Sequence, residues 1–170
     1  MKRILIILLL FGVNSSFYGQ EEYIIFNDIY KESNTIIYLE PFFIESKEFQ
    51  DYFNKDFFKN NWSPIPSDTT PNINEFLAEN NFEYLKEQIT QSPNSRIKFE
   101  KLNPRIRKKN NNKNYIKISK LIFNKKENWV VFYTYTVYSA NYVGSSSYFI
   151  ICKKENSVWK IYHKILVLLG

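Results

Sequence analysis

The chain has 170 residues and a formal net charge of +6; 44% of its side chains are apolar, 18% are aromatic, and it holds one cysteine and one histidine. A single cysteine excludes an internal disulfide, and a single histidine excludes a His-rich zinc or two-histidine iron centre. No C-x-x-C, H-E-x-x-H, glycine-rich phosphate loop or G-x-S-x-G elbow occurs, so motif chemistry leads to no metal, no cofactor and no catalytic residue.

Lys2 and Arg3 precede an apolar run from Ile4 to Val13, and Asn14-Ser15-Ser16 opens a polar exit toward Gly19-Gln20. This is the pattern of a secretory signal peptide over residues 1–19, cleaved after Gly19 or, alternatively, after Ser15 or Ser16. As a helix the run extends about 15 Å, roughly half a bilayer core, so no transmembrane anchor is expected. No cysteine follows it, which argues against a lipoprotein. The expectation is an exported protein, periplasmic or secreted, with residues 20–170 forming a single globular domain of about 150 residues.

Along that domain, Phe26, Ile29 and Tyr30 have the spacing of one helix face within Glu22–Ser33, and Thr35–Leu39 reads as a short strand ended by Pro41. Ser46 is placed to cap a helix from Lys47 to Asn54, with Phe57, Phe58 and Trp62 continuing the core. Ser63–Pro71 is a proline-rich loop. Thr70-Pro71 opens a helix to Asn80, Asn81 restarts a second one carrying Phe82, Leu85 and Ile89, and Ser92–Ser95 is a turn. Strands are expected at Arg96–Leu102, Tyr115–Phe123, Trp129–Tyr138, Ser147–Lys153 and Val158–Leu168, with a basic loop at 103–114 and short hairpin loops at 124–128 and 154–157. The fold class expected is therefore α+β: a helical N-terminal half packed on one face of a C-terminal antiparallel sheet of four to five strands, a meander.

Strand alternation places Trp129, Val131, Tyr133, Tyr135 and Val137 on one side, and Trp159, Ile161, His163, Ile165 and Val167 together on one side of the last strand. With the helices on one face, the other is Tyr- and Thr-rich enough to line a shallow pocket. Tyr133, Tyr135 and His163 are the candidate ligand-binding residues there, with Arg105, Arg107, Lys108 and Lys109 beside them. Cys152, following Phe149-Ile150-Ile151, reads as a small buried hydrophobe, and His163 also fits a hydrogen-bonded core histidine.

Charge divides sharply: residues 20–94 hold 5 basic and 14 acidic side chains, and residues 95–170 hold 16 basic and 3 acidic. Either a basic face awaits an anionic partner, or the acidic half packs against the basic half and neutralises it. The run Arg105–Lys109 beside Tyr115 has the look of nucleic-acid contact, but export argues against nucleic acid and favours an anionic envelope ligand, a protein partner or a solvated loop. The carboxylate pairs Glu75/Glu79 and Glu83/Glu87 lie i, i+4 on helices, the spacing of a solvated face.

Ile118–Phe123, Trp129–Tyr133, Gly144-Ser145-Ser146-Ser147-Tyr148, Lys153-Lys154-Glu155-Asn156 and Trp159-Lys160-Ile161 together resemble an uncharacterised family of exported Bacteroidota proteins. That family shows an S-x-P-x-F strand, an apolar strand, a Gly-rich loop, and a Lys-Lys strand end before a polar hairpin and Trp. Leu121 stands where proline is usual, and the loop is poor in Gly and lacks Cys. The resemblance implies export and topology and brings no activity with it. The function expected is a non-catalytic exported protein that binds a ligand or partner. The alternative is a small periplasmic or secreted hydrolase pairing a carboxylate of the first half with His163.

Overall fold

The β-branched and aromatic density after residue 114 yields three long strands: β5 (Trp129–Val137), β6 (Ser145–Glu155) and β7 (Val158–Leu169), paired antiparallel in order. The computed structural model describes residues 21–31, 33–62, 72–91, 96–110, 113–138 and 144–169. The expected leader, the expected proline-rich loop and 92–95 turn, and most of the expected 139–146 connection fall outside these residues. β6 turns into β7 through Asn156-Ser157, whose φ values of 49° and 66° match the two-residue hairpin geometry that follows strand twist.

β3 (Tyr115–Ile118) and β4 (Ile122–Phe123) share the other side of β5. Between the pairs Ile118↔Thr134 and Ile122↔Val131 the β3–β4 side carries one residue more than β5, a bulge. Ser119 sits in it: its Oγ accepts the Tyr133 N–H at 2.8 Å, and its own N–H donates to the Tyr133 carbonyl at 2.8 Å. The expected single strand 115–123 is split there.

β1 (Ile37–Leu39) runs parallel to both of its neighbours, β2 (Ile106–Lys108) and β3. The order is β2-β1-β3-β5-β6-β7, with β4 paired to β5. The sheet is thus mixed and seven-stranded, which overturns the expected antiparallel sheet of four to five strands, and the helices do not form a packed N-terminal half. The physical reason is pairing at long sequence separation. A three-residue strand carries no measurable period, and β2 lies inside a charged run that reads as loop until β1 supplies its ladder.

The helices are short and fall on both faces. α1 covers described residues 21–29, followed by α2 (Lys55–Asn60), α3 (Ile73–Glu79) and α4 (Phe82–Gln91). Three of them start on asparagine caps: Asn54 Oδ1 accepts from Phe57 N–H at 2.8 Å, Asn72 from Asn74 at 2.9 Å, and Asn81 from Glu83 at 3.0 Å. The helix expected at 47–54 is instead two 3₁₀ turns, Ser46–Glu48 and Gln50–Tyr52, and Ser46 caps nothing. The strand expected at 96–102 is a 3₁₀ turn, Phe99–Lys101, because α1 takes the backbone bonds a strand partner would need. Lys98 N–H donates to Tyr23 Oη at 3.0 Å, Asn103 N–H to Asn27 Oδ1 at 2.7 Å, and Asn27 Nδ2 to the Lys101 carbonyl at 3.1 Å.

Each face of the sheet has its own core. On one, Tyr23, Ile25 and Phe26 of α1 pack on Val130, Phe132, Ile150, Cys152 and Trp159, with Phe26 edge-on to Phe132 at 5.7 Å. On the other, α2–α4 deliver Phe58, Phe76, Phe82 and Leu85 onto Trp129, Val131, Phe149 and Ile165. Phe149 is the hub, meeting the rings of Phe49, Phe53, Phe57, Phe58 and Tyr133 at 5.0–6.2 Å. Each such ring contributes about 1.5–3 kcal/mol by burial. α4 is also tied to the sheet edge: Gln88 Nε2 donates to the Phe123 carbonyl at 2.6 Å.

The β6–β7 register shifts between Ile151 and Cys152. Cys152 faces Ile161 while Ile151 faces His163, which leaves Tyr162 as the extra residue. Trp159 therefore packs on the α1 side, and His163 and Ile165 face α2–α4. The expected common face for Trp159, His163 and Ile165 does not form. Among the described residues no helix is long and apolar enough to cross a membrane.

Candidate functional site

His163 sits on β7 with its ring stacked on Trp62, 4.1 Å between centroids, and fully buried. Neither of its nitrogens has a hydrogen-bond partner among the described residues, and burial pulls its pKa below the ordinary value. A carboxylate at hydrogen-bond distance, which a hydrolytic pair requires, is therefore not present among them. Tyr133 is also buried, stacked on Phe49 at 5.2 Å, and burial pushes its phenol up. Tyr135, one pleat further, is half-buried, with Lys117 Nζ 5.8 Å from its ring centre.

The basic run lies at the opposite edge. Arg107 and Lys108 are exposed on β2, and Arg105 immediately precedes it, its guanidinium donating to the Ser33 carbonyl. Lys109 is paired with Glu40 at 2.7 Å and lies over the Tyr115 ring at 4.9 Å. Since β2 and β7 end the strand order, five strand spacings, about 24 Å, separate the run from His163. The candidate residues are thus not one constellation. Only Lys109 and Tyr135 approach a common feature: a groove of about 300 Å³ bordered by Glu40, Phe42, Glu48, Lys109, Tyr115 and Lys117, whose Lys117 borders the Tyr135 ring.

A polar cluster escaped the sequence reading. Glu75 on α3 forms an ion pair with Lys153 of β6 and accepts the Tyr162 hydroxyl at 2.8 Å. Lys153 Nζ lies 5.0 Å from the Trp129 ring centre, and the Trp129 indole N–H donates to Glu79 at 3.0 Å. The Glu75/Glu79 pair, whose spacing suggested a solvated face, instead tethers α3 to the sheet. Lys153 and Tyr162 hold the Glu75 carboxyl below its usual range, while burial and the bond to Glu75 push the Tyr162 phenol to about 12. The carboxylate stays ionised and the phenol protonated near neutrality, which suits a structural clasp better than proton transfer. The missing signal was the docking of α3 on the face that already holds Trp129 and Tyr162, which helix spacing alone does not show.

Cys152 is buried, and burial raises its thiol to about 12, so no thiolate nucleophile forms near neutrality. Glu22 on α1 is pushed up by burial, with Lys120 and the Leu121 N–H pulling back. Among the described residues no group of three or more His, Cys, Asp or Glu side chains is placed to hold a metal ion.

The two charged halves do meet. Glu21–Lys154 at 2.7 Å, Glu40–Lys109 at 2.7 Å and Glu75–Lys153 join them. Beyond these pairs, Arg96, Lys98, Lys101, Arg105, Arg107 and Lys108 are exposed, and none has a carboxylate at ion-pair distance among the described residues. The turn Phe99–Lys101 packs against β2, which gathers several of these cations at one edge. No protein family, curated protein or solved structure matches this chain.

Proposed function

We propose that this is an exported, non-catalytic binding protein of the cell envelope that engages an anionic ligand through its β2 edge. The observation that carries the reading is the uncompensated charge there: Arg105, Arg107 and Lys108 stay exposed while Lys109, Lys153 and Lys154 are neutralised by the acidic half. Guanidinium forks and ammonium groups held in water along a short strand suit sulfate, phosphate or carboxylate groups on an extended polyanion. The leader pattern and the resemblance to exported Bacteroidota proteins support the compartment. The buried Cys152 and His163, and the clasp role of Glu75, support binding over catalysis.

The test is retention on an immobilised sulfated polysaccharide as salt rises. The combined variant Arg105→Glu, Arg107→Glu, Lys108→Glu should elute at much lower salt with its thermal transition retained, because exposed ionic contacts are screened. Equal elution of variant and parent would overturn the assignment.

A further inference from the structure

We propose that the outer edge of β7 is a docking site for an extended, acidic segment of another protein, which joins the sheet as an additional strand. The two ends of this sheet are built differently. β2 has three residues, and its exposed positions are Arg107 and Lys108; brevity and charge both protect an edge against pairing. β7 has twelve residues, and among the described residues no strand lies beyond it. The Trp159 N–H is taken by Asp28 Oδ2 at 3.1 Å, and from Ile161 onward no hydrogen bond among the described residues occupies the outward backbone groups, which are available to a ladder.

The side chains of β7 point the same way. Of the nine large apolar side chains exposed among the described residues, four are on this strand: Val158 (46%), Ile161 (37%), Leu166 (40%) and Leu168 (48%). The pairs with β6 are regular over His163–Leu166, between the register shifts, so an incoming strand meets an unbroken stretch there.

Charge selects the occupant. Lys164 is exposed in the middle of that stretch and has no ion-pair partner among the described residues, whereas Lys160 is paired with Glu155 at 3.2 Å. An added strand gains most with an acidic residue opposite Lys164 and apolar residues opposite Ile161 and Leu166. A second copy fits poorly. Antiparallel pairing of two β7 edges near their centres gathers Lys160 and Lys164 of both copies along one short ladder, and like charges brought together destabilise it. The chain's net positive charge adds to that repulsion.

The probe is a labelled synthetic peptide of about ten residues in which a central glutamate has valine two positions away on each side, on the same strand face, with threonine at the positions between, a length that spans one strand. Binding is followed by fluorescence anisotropy and by hydrogen exchange of the β7 amides. Expected are saturable binding and slowed exchange along β7. Affinity should fall roughly tenfold or more when lysine replaces the central glutamate, for a backbone N-methylated peptide, and for Lys164→Glu or Leu166→Lys proteins with unchanged thermal unfolding. Unaltered β7 exchange, or equal affinity for the N-methylated peptide, would overturn the proposal. So would a concentration-dependent dimer in sedimentation equilibrium that Leu166→Lys abolishes, since it would assign the edge to a second copy.

Discussion

Replacing His163 with phenylalanine should flatten the acid side of the stability profile. The ring is fully buried against Trp62, with no hydrogen-bond partner for either nitrogen among the described residues, and burial lowers its pKa from 6.5. In the unfolded chain the same ring titrates near its ordinary value. As pH falls below 6.5 the unfolded state binds a proton that the folded state refuses, so stability declines until the folded ring itself protonates. One proton gives a limiting slope of about 1.4 kcal/mol per pH unit, so moving from pH ~7.5 to ~5 removes at most about 2 kcal/mol. Glu22 works in the opposite sense. Its pKa is raised by burial, so the folded state takes up the extra proton and gains stability as pH falls toward 4.5. The difference between parent and His163→Phe therefore isolates the histidine. Phenylalanine keeps the stacking surface and removes two unpaired buried nitrogens while adding some volume. Its stability at pH ~7.5 should stay within about 1.5 kcal/mol of the parent. Urea titrations from pH ~7.5 down to ~5, with slopes compared at each pH, make the measurement. An equal pH slope in both proteins would refute the argument.

Two further outcomes are expected. Lys153→Met should cost about 1–2 kcal/mol by urea unfolding, because it removes the Glu75 ion pair and the cation over Trp129. A double-mutant cycle with Glu75→Gln should give a coupling of about 0.5–1 kcal/mol that shrinks with added salt, the side chains being 22% and 36% exposed; a coupling of zero would remove the clasp from the account. N-terminal sequencing of the native product should begin near residue 20 in an exported fraction, and recovery of intact Met1 from the cytosol would contradict the leader reading.

The long strands were legible because their signal is local. Trp129–Val137 and Val158–Leu169 are dense in β-branched and aromatic residues, and Asn156-Ser157 between β6 and β7 sits where a two-residue turn must. The helix starts were partly legible through Asn81, whereas Asn54 caps α2 where no helix was expected, and Asn72 caps a helix expected to open at Thr70-Pro71. Burial of Cys152 followed from the apolar run before it. The candidate site was less legible. Tyr133, Tyr135 and His163 were grouped by strict alternation, and the exposed face they were to line is covered on one side by α1 and on the other by α2–α4.

What the amino-acid order determined by itself is the inventory: a chain without disulfide or multi-histidine metal chemistry, an acidic first half, a basic second half, and three long strands in succession. Tertiary structure alone decided that β1 and β2 join the sheet in parallel, that a bulge at Tyr162 sends Trp159 and His163 to opposite sides, and that Glu75 meets Lys153. These depend on pairing between segments far apart in sequence. The free energy that selects them comes from burial and ladder hydrogen bonds formed only on assembly, which no window of neighbouring residues encodes.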